Sequence, residues 1–238
     1  MFRIFGPPGT GKTTTLLNMV DEALESGIHP HKIAFLAFTR KAANEAKDRA
    51  AARFNLDPKK DLSYFRTLHS LAMSLSNIRS EQVMQEEHYR ELSETIGVEV
   101  YSSTQVGAFE EDITAITSNK NPILNVINLA RLRKVDLRDQ YNESNLYESW
   151  NVVNYVATSL EAYKGNMGLY DFTDMLDEFI RSAPMTCPHF DLCFIDEAQD
   201  LSPLQWDLAH ILDENSTRTY CAGDDDQAIY RWAGADVD

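Results

Sequence analysis

Long apolar runs are missing from this 238-residue chain. No stretch approaches the roughly 20 apolar residues that span a bilayer, and the opening MFRIFGPP has neither the basic end nor the extended apolar run of a secretory signal. A membrane role is excluded on this reading, and a cytoplasmic location is expected. Cysteine is scarce: Cys187, Cys193 and Cys221 leave one thiol unpaired however they are matched, which fits a reducing compartment. Cys187, His189 and Cys193 lack the second Cys/His pair that would complete the four-ligand set of a structural zinc. An excess of positive charge is also absent, with 22 Lys/Arg against 37 Asp/Glu and a net charge of −15. The whole-chain average therefore argues against nucleic acid. No internal repeat or low-complexity segment occurs, and 43% hydrophobic content makes disorder an unsuitable description.

The charge is unevenly distributed. Residues 1–80 carry 12 Lys/Arg against 7 Asp/Glu, whereas residues 81–238 carry 10 against 30. Any polyanion-binding surface is thus expected near the front of the chain. The segment Asn128 to Arg138 concentrates four basic residues, and a solvated helix face is the preferred explanation for it.

Hydrophobic patterning predicts alternating strands and helices. FRIF is a short apolar run ending in GPPGTGKTTT, and TLLNMVDEALESG then repeats apolar residues at helical spacing up to a glycine. KIAFLAF has strand length, and RKAANEAKDRAAARF favours helix through its alanines and charges. Residues 75–165 are rich in helix formers, apart from a short β-like piece around Val98 to Tyr101, and are expected to form a mostly helical insertion. LYDFTDMLDEFI follows as an amphipathic helix, FDLCFIDEAQD as a buried strand ending in two acids, Leu204 to Leu212 as a helix, and TRTYCAGDDDQ as a further strand. The expected fold is α/β, a doubly wound parallel sheet split as 1–74, 75–165 and 166–238.

Gly6 to Thr13 reads GPPGTGKT, the phosphate-cradling pattern G-x-x-x-x-G-K-[ST] in its required place between strand and helix. Gly6, Pro7, Pro8, Gly9, Thr10, Gly11, Lys12, Thr13 and Thr14 are the candidate nucleotide-binding residues. Backbone N–H groups turn inward around phosphate oxygens, Lys12 supplies charge, and Thr13 can hold Mg²⁺. Asp196 and Glu197 end a predicted strand, where ligands of open α/β sheets bind. Asp196 would support Mg²⁺, and Glu197 would orient or deprotonate the attacking water; such acids can merely cap a helix, an alternative that the pairing with the phosphate loop disfavours. Asp224 to Asp226 more readily arrange their loop than bind phosphate.

Six stretches in one order, GPPGTGKTT, AFTRKAANEAKDR, TLHSLA, YDFTDML, DEAQDLSPLQ and GDDDQAIYRWAGAD, resemble the UvrD/Rep/PcrA group of superfamily 1 helicases over essentially the whole chain. The resemblance implies a RecA-like domain 1A carrying the helical insertion 1B, ATP and Mg²⁺ as ligands, and 3′-to-5′ movement on single-stranded DNA. It implies that Gln227 senses the γ-phosphate, and that Phe38, Thr39, Arg40, Thr67, His69, Tyr230 and Trp232 lie at the strand, with Trp232 stacking on a base. Asparagine is usual where Arg40 stands, His69 could equally be a helix-start histidine, and Tyr230 and Trp232 alternate as core residues of a strand would. The resemblance further implies a second RecA-like domain, supplied in cis or in trans, whose arginine fingers complete the site. The glutamine segment that reads adenine in the family has no counterpart in the five residues before Gly6. Two rival readings stay open: a nucleotide-gated binding or assembly module without turnover, which the presence of Glu197 disfavours, and an AAA+ ATPase, which the long insertion and the DDDQ segment disfavour.

Overall fold

The computed structural model describes residues 1–7, 9–100 and 121–224. Five strands, β1 (Phe2–Phe5), β2 (Ile33–Ala37), β3 (Phe65–Thr67), β4 (Phe190–Ile195) and β5 (Ser216–Gly223), form one sheet in the order β1-β5-β4-β2-β3. Every pairing is parallel. The phosphate-loop strand and the acid-pair strand are therefore separated by one strand, β5. The fold class expected from the sequence is the one observed.

Helices cover both faces, as parallel strands require. On one side α1 (Lys12–Glu25) and α2 (Arg40–Phe54) enclose Leu16, Val20, Phe35, Ala46, Phe65 and Phe194. On the other, α3 (Leu68–Leu75), α8 (Phe172–Thr186) and α9 (Pro203–Glu214) cover Leu36, Phe179, Cys193 and Leu208. A row of aromatic rings crosses all five strands on the α1/α2 side. Phe65 stacks on Phe35 at 5.8 Å, Phe35 meets Phe194 at 6.3 Å, Phe194 stacks on Tyr220 at 5.6 Å, and Tyr220 stacks on Phe2 at 5.3 Å. Such contacts add about 0.5–1.5 kcal/mol each beyond area burial, so the row helps fix strand register. Cys187, Cys193 and Cys221 are all free thiols.

Between α3 and α8 the described residues form α4 (Glu86–Ile96), α5 (Pro122–Leu132), α6 (Leu137–Glu143) and α7 (Trp150–Met167). These have their own apolar cluster, drawn from Met84 to Leu169 and including Leu92, Ile127, Val153, Val156 and Leu160. The chain enters and leaves side by side: Met84 N–H donates to Tyr170 O at 2.8 Å, and Tyr170 N–H donates to Gln82 O at 2.8 Å. No strand forms at residues 98–100, and Tyr101 lies outside the described residues.

Of the four basic residues of Asn128 to Arg138, Arg131 is drawn into the fold, whereas Lys134 and Arg138 are exposed as a solvated face requires, although each has a partner. Arg131 bonds Asp171, Asp174 and Asp177 on α8 at 2.5–3.1 Å, and Arg133 bonds Glu143 at 2.6 Å. Lys134 bonds Asp207 on α9 at 2.5 Å, while Arg138 lies 4.6 Å over the Trp150 ring. Asp171 and Asp174 also cap α8 reciprocally, which is why the DFTD stretch starts a helix there. Burial opposes the ionised form of Asp171, yet Arg131 and Lys164 hold its carboxyl down at about 2. Glu161, Asp171 and Asp174 converge as if to hold a metal. The cation they surround is the Lys164 ammonium, 2.7–2.8 Å from each.

Candidate nucleotide site

The loop after β1 ends in Gly11, which adopts φ 80° and ψ 25° at the N-cap of α1. A side chain is strained in that left-handed region, so glycine is required for the chain to swing directly into the helix. Gly11 offers no side-chain cap, and the first turn of α1 holds no acid. Free N–H groups and the positive helix end therefore face the loop, an arrangement that attracts anions. Lys12 Nζ donates to Gly6 O at 2.5 Å and to Pro7 O at 3.3 Å. Its ammonium is thus folded over the loop from which it springs. Thr10 Oγ1 donates to Pro7 O at 2.7 Å and tightens the turn.

β4 brings its acids to the same edge of the sheet. Asp196 is 2% exposed, its N–H donates to Leu36 O at 2.8 Å, and the neighbouring Thr13 side chain favours the ionised form of its carboxyl. Glu197 N–H donates to Asp196 Oδ1 at 3.1 Å. Burial raises the Asp196 carboxyl to about 6, partly offset by Thr13. Glu197 itself sits at φ 55° and ψ 43°, a left-handed conformation that costs a non-glycine residue about 1 kcal/mol or more. Strain of this kind is concentrated at functional positions. Thr13 and Asp196 supply hard oxygen donors side by side, a set suited to Mg²⁺, and Gly11, Lys12 and the α1 end suit a polyphosphate.

Gln199 was not singled out by sequence, and it ties the site together. Its Nε2 donates to Glu197 Oε2 at 2.6 Å, and its Oε1 accepts from Asp224 N–H at 3.1 Å. A Cβ on Gly223 would lie 3.1 Å from Gln199 Oε1 and 3.3 Å from its backbone N, so glycine at the end of β5 permits this approach. The glutamine links the strained acid to the backbone that leads towards Gln227. We expect Gln199→Ala to reduce ATP turnover by roughly 10- to 100-fold, as loss of an outer-shell partner does, while nucleotide affinity stays within about threefold. Equal losses in turnover and affinity would assign Gln199 to the general integrity of the loop.

The candidate strand-contacting residues are placed unevenly. Thr39 caps α2 by accepting from Ala42 N–H at 3.2 Å, and Thr67 caps α3 by accepting from Ser70 N–H at 3.3 Å. Arg40 is half-buried at the first residue of α2. Phe38 is 3% and His69 7% exposed, which leaves neither much surface for a nucleotide. Both His69 ring nitrogens are buried without a hydrogen bond among the described residues, and burial lowers its pKa to about 4. Pro8, Gln227, Tyr230 and Trp232 lie outside the described residues.

A phosphate loop after β1, an acid pair after β4, and one strand between them define a RecA-like P-loop domain. The chain belongs to the UvrD/REP helicase N-terminal domain family, which matches residues 2–238. It is 26% identical over 243 residues to the ATP-dependent DNA helicase PcrA of Leuconostoc citreum, covering 98% of this chain and 32% of that protein. It is 24% identical over 245 residues to the ATP-dependent DNA helicase PcrA of Staphylococcus epidermidis, again covering 98% and 32%. The chain spans about a third of the length of these relatives. No described helix is long and apolar enough to cross a membrane.

Proposed function

We propose that this chain is the ATP-binding part of a DNA helicase that moves 3′-to-5′ along single-stranded DNA, with residues 75–165 as its inserted helical domain. The observation that carries the reading is the meeting of Thr13 and Asp196 at one sheet edge, with Glu197 adjoining and tied through Gln199 to the end of β5. Lys12 and the α1 N-terminus would bind the β- and γ-phosphates, while Thr13 and Asp196 would hold Mg²⁺, whose charge neutralises the phosphates. Glu197 would accept a proton from the attacking water, and its fixed backbone and Gln199 bond keep the carboxylate oriented for that purpose.

Gln227 would sense the γ-phosphate, with Tyr230 and Trp232 against the DNA. Thr39, Arg40 and Thr67 would line the strand path, and Phe38 and His69 would support it from beneath. A second RecA-like domain, in cis or in trans, would bring an arginine finger, a group worth about 10³–10⁵ in rate.

The test is steady-state ATP hydrolysis by the 238-residue chain, with and without single-stranded DNA, beside Glu197→Gln. We expect Mg²⁺-dependent nucleotide binding and slow turnover that DNA stimulates and Glu197→Gln removes. Nucleotide binding with turnover indifferent to both DNA and Glu197 would overturn the motor reading in favour of a nucleotide-gated module.

A further inference from the structure

Two separately packed bodies meet where Arg131 and Lys164 stand. The insertion closes a core of its own around Leu92, Ile127, Val156 and Leu160, whereas α8 and α9 pack with Leu36, Cys193 and Leu208 in the sheet core. Between the segments that enter and leave the insertion, the described backbone hydrogen bonds are the two that join Tyr170 to Gln82 and Met84. Gly168, at φ 66°, ends α7 just before the leaving segment. Two short segments held by two bonds next to a left-handed glycine form a joint of the kind that turns at element ends.

Contact across the seam is of two kinds. α5 places Leu132 in the sheet core, and Ile78, Val83 and Met175 form a small apolar cluster at the crossing. The described side-chain hydrogen bonds from the insertion helices and their ends to α8, its cap and α9 run from cations to carboxylates. Arg131 donates to Asp171, Asp174 and Asp177, Lys134 to Asp207, and Lys164 to Asp171 and Asp174. Arg131 and Lys164 thus come from different helices and share two acids. The Lys164 and Asp171 side chains are 4% and 5% exposed. Loss of either cation leaves Asp171 and Asp174 side by side with too little positive charge, and the acids then need water. Opening the seam admits water there; it uncovers Leu132 and leaves the rest of each core closed.

We infer that Arg131 and Lys164 form a latch on the first turn of α8 that seats the insertion against the sheet domain, and that the insertion turns as one body about the crossing at Gln82 to Met84 and Gly168 to Tyr170 when the latch opens. The contacts suit the task, because ion pairs part and re-form where a broad apolar interface would have to be exposed, and seams between domains are more polar than cores for that reason. The position gives the latch a consequence. α8 leads through a short turn into β4, so its first turn lies at the edge of the sheet from which Asp196 emerges. The state of the latch therefore sets where the insertion stands beside the nucleotide edge. The inference does not depend on the DNA reading proposed above.

The test is native-state amide hydrogen exchange of the intact chain, read by mass spectrometry, for wild type, Arg131→Met, Lys164→Met, Arg131→Lys and Asp177→Asn. Local opening and whole-body unfolding are separated by which amides exchange faster. In both methionine variants we expect exchange at the crossing, residues 82–85 and 168–171, to rise by about 10-fold or more, as loss of one partner of a buried pair entails. Exchange in the middle of α7 and in β4 should stay within about twofold of wild type, and Arg131→Lys, which keeps the charge, should stay near wild type at the crossing. Asp177 is the most exposed acid on Arg131, at 42%, and Asp177→Asn should raise exchange at the crossing by only about two- to fivefold. That milder variant carries the test should the methionine variants fail to fold. Unchanged exchange at the crossing, in the methionine variants or in Asp177→Asn where those do not fold, would overturn the latch. Equal acceleration at the crossing, in α7 and in β4 would overturn it too, because the ion cluster would then support the whole fold rather than the seam.

Discussion

Lys12→Ala should weaken Mg·ATP binding by about 2–5 kcal/mol, the usual consequence of leaving one partner of a desolvated charge pair unmatched. That is on the order of 30- to 5,000-fold in Kd. The ammonium is held over the loop by the Gly6 and Pro7 carbonyls at 2.5 and 3.3 Å, so little ordering remains to be done when phosphate arrives. Removing it takes away a charge and the clip on the loop together. Equilibrium titration with a fluorescent ATP analogue measures the loss, and thermal melting without nucleotide separates the two contributions. The melting temperature should fall little, because the loop is exposed and contributes little to the core. Wild-type affinity in the variant would remove the phosphate-binding assignment of Gly6 to Thr14.

The candidate nucleotide site could be proposed from the sequence because its signals are local. The glycines, Lys12 and Thr13 lie within eight residues, and Asp196 and Glu197 follow an apolar run that could only be a buried strand. The helix expected at Leu204 to Leu212 is α9, which starts one residue earlier, at Pro203, behind a Ser202 cap that Gln205 reciprocates. Strand β3 was missed, being three residues long with an arginine at its centre; its pairing with β2 is decided by tertiary contact. Gln199 was missed because its role depends on how close the end of β5 comes to the turn after Glu197, a register set by strands with many residues between them. Arg131 was misjudged for a related reason. Its acids lie 40 to 46 residues away on another helix, and a charge pattern on one helix cannot reveal a partner on the next. Burial of Phe38 and His69 was likewise hidden, since a motif tells which residues occur together and not which side of the backbone they take.

Asp196→Asn should act in opposite directions on stability and function. The wild-type carboxyl is buried and its pKa is raised to about 6 from an ordinary 3.8. A folded-state value above the unfolded one means that the native state binds its proton more tightly. The associated stability is fully present below about pH 4 and is lost as pH rises through 6. At neutral pH the metal-free protein therefore carries an ionised Asp196 at a cost of about 1–3 kcal/mol, from the per-unit equivalence of pKa and free energy. Asparagine occupies nearly the same space without the charge and keeps an oxygen beside Thr13. In chelator-treated protein at pH 8, urea unfolding should show the variant more stable by about that amount, and at pH 4 the two should converge. Stimulation of nucleotide binding by Mg²⁺ should disappear in the same variant, because a hard cation loses the anionic donor beside Thr13. A variant that is less stable at pH 8 would mean that Asp196 is held by interactions favouring its ionised form. In that case the acid would belong to the structural hydrogen bonding of the β4 turn, and the metal would have to be carried elsewhere. Stabilisation together with loss of the Mg²⁺ effect would identify the buried charge as one retained for its ligand at the expense of the fold, as expected of a functional residue.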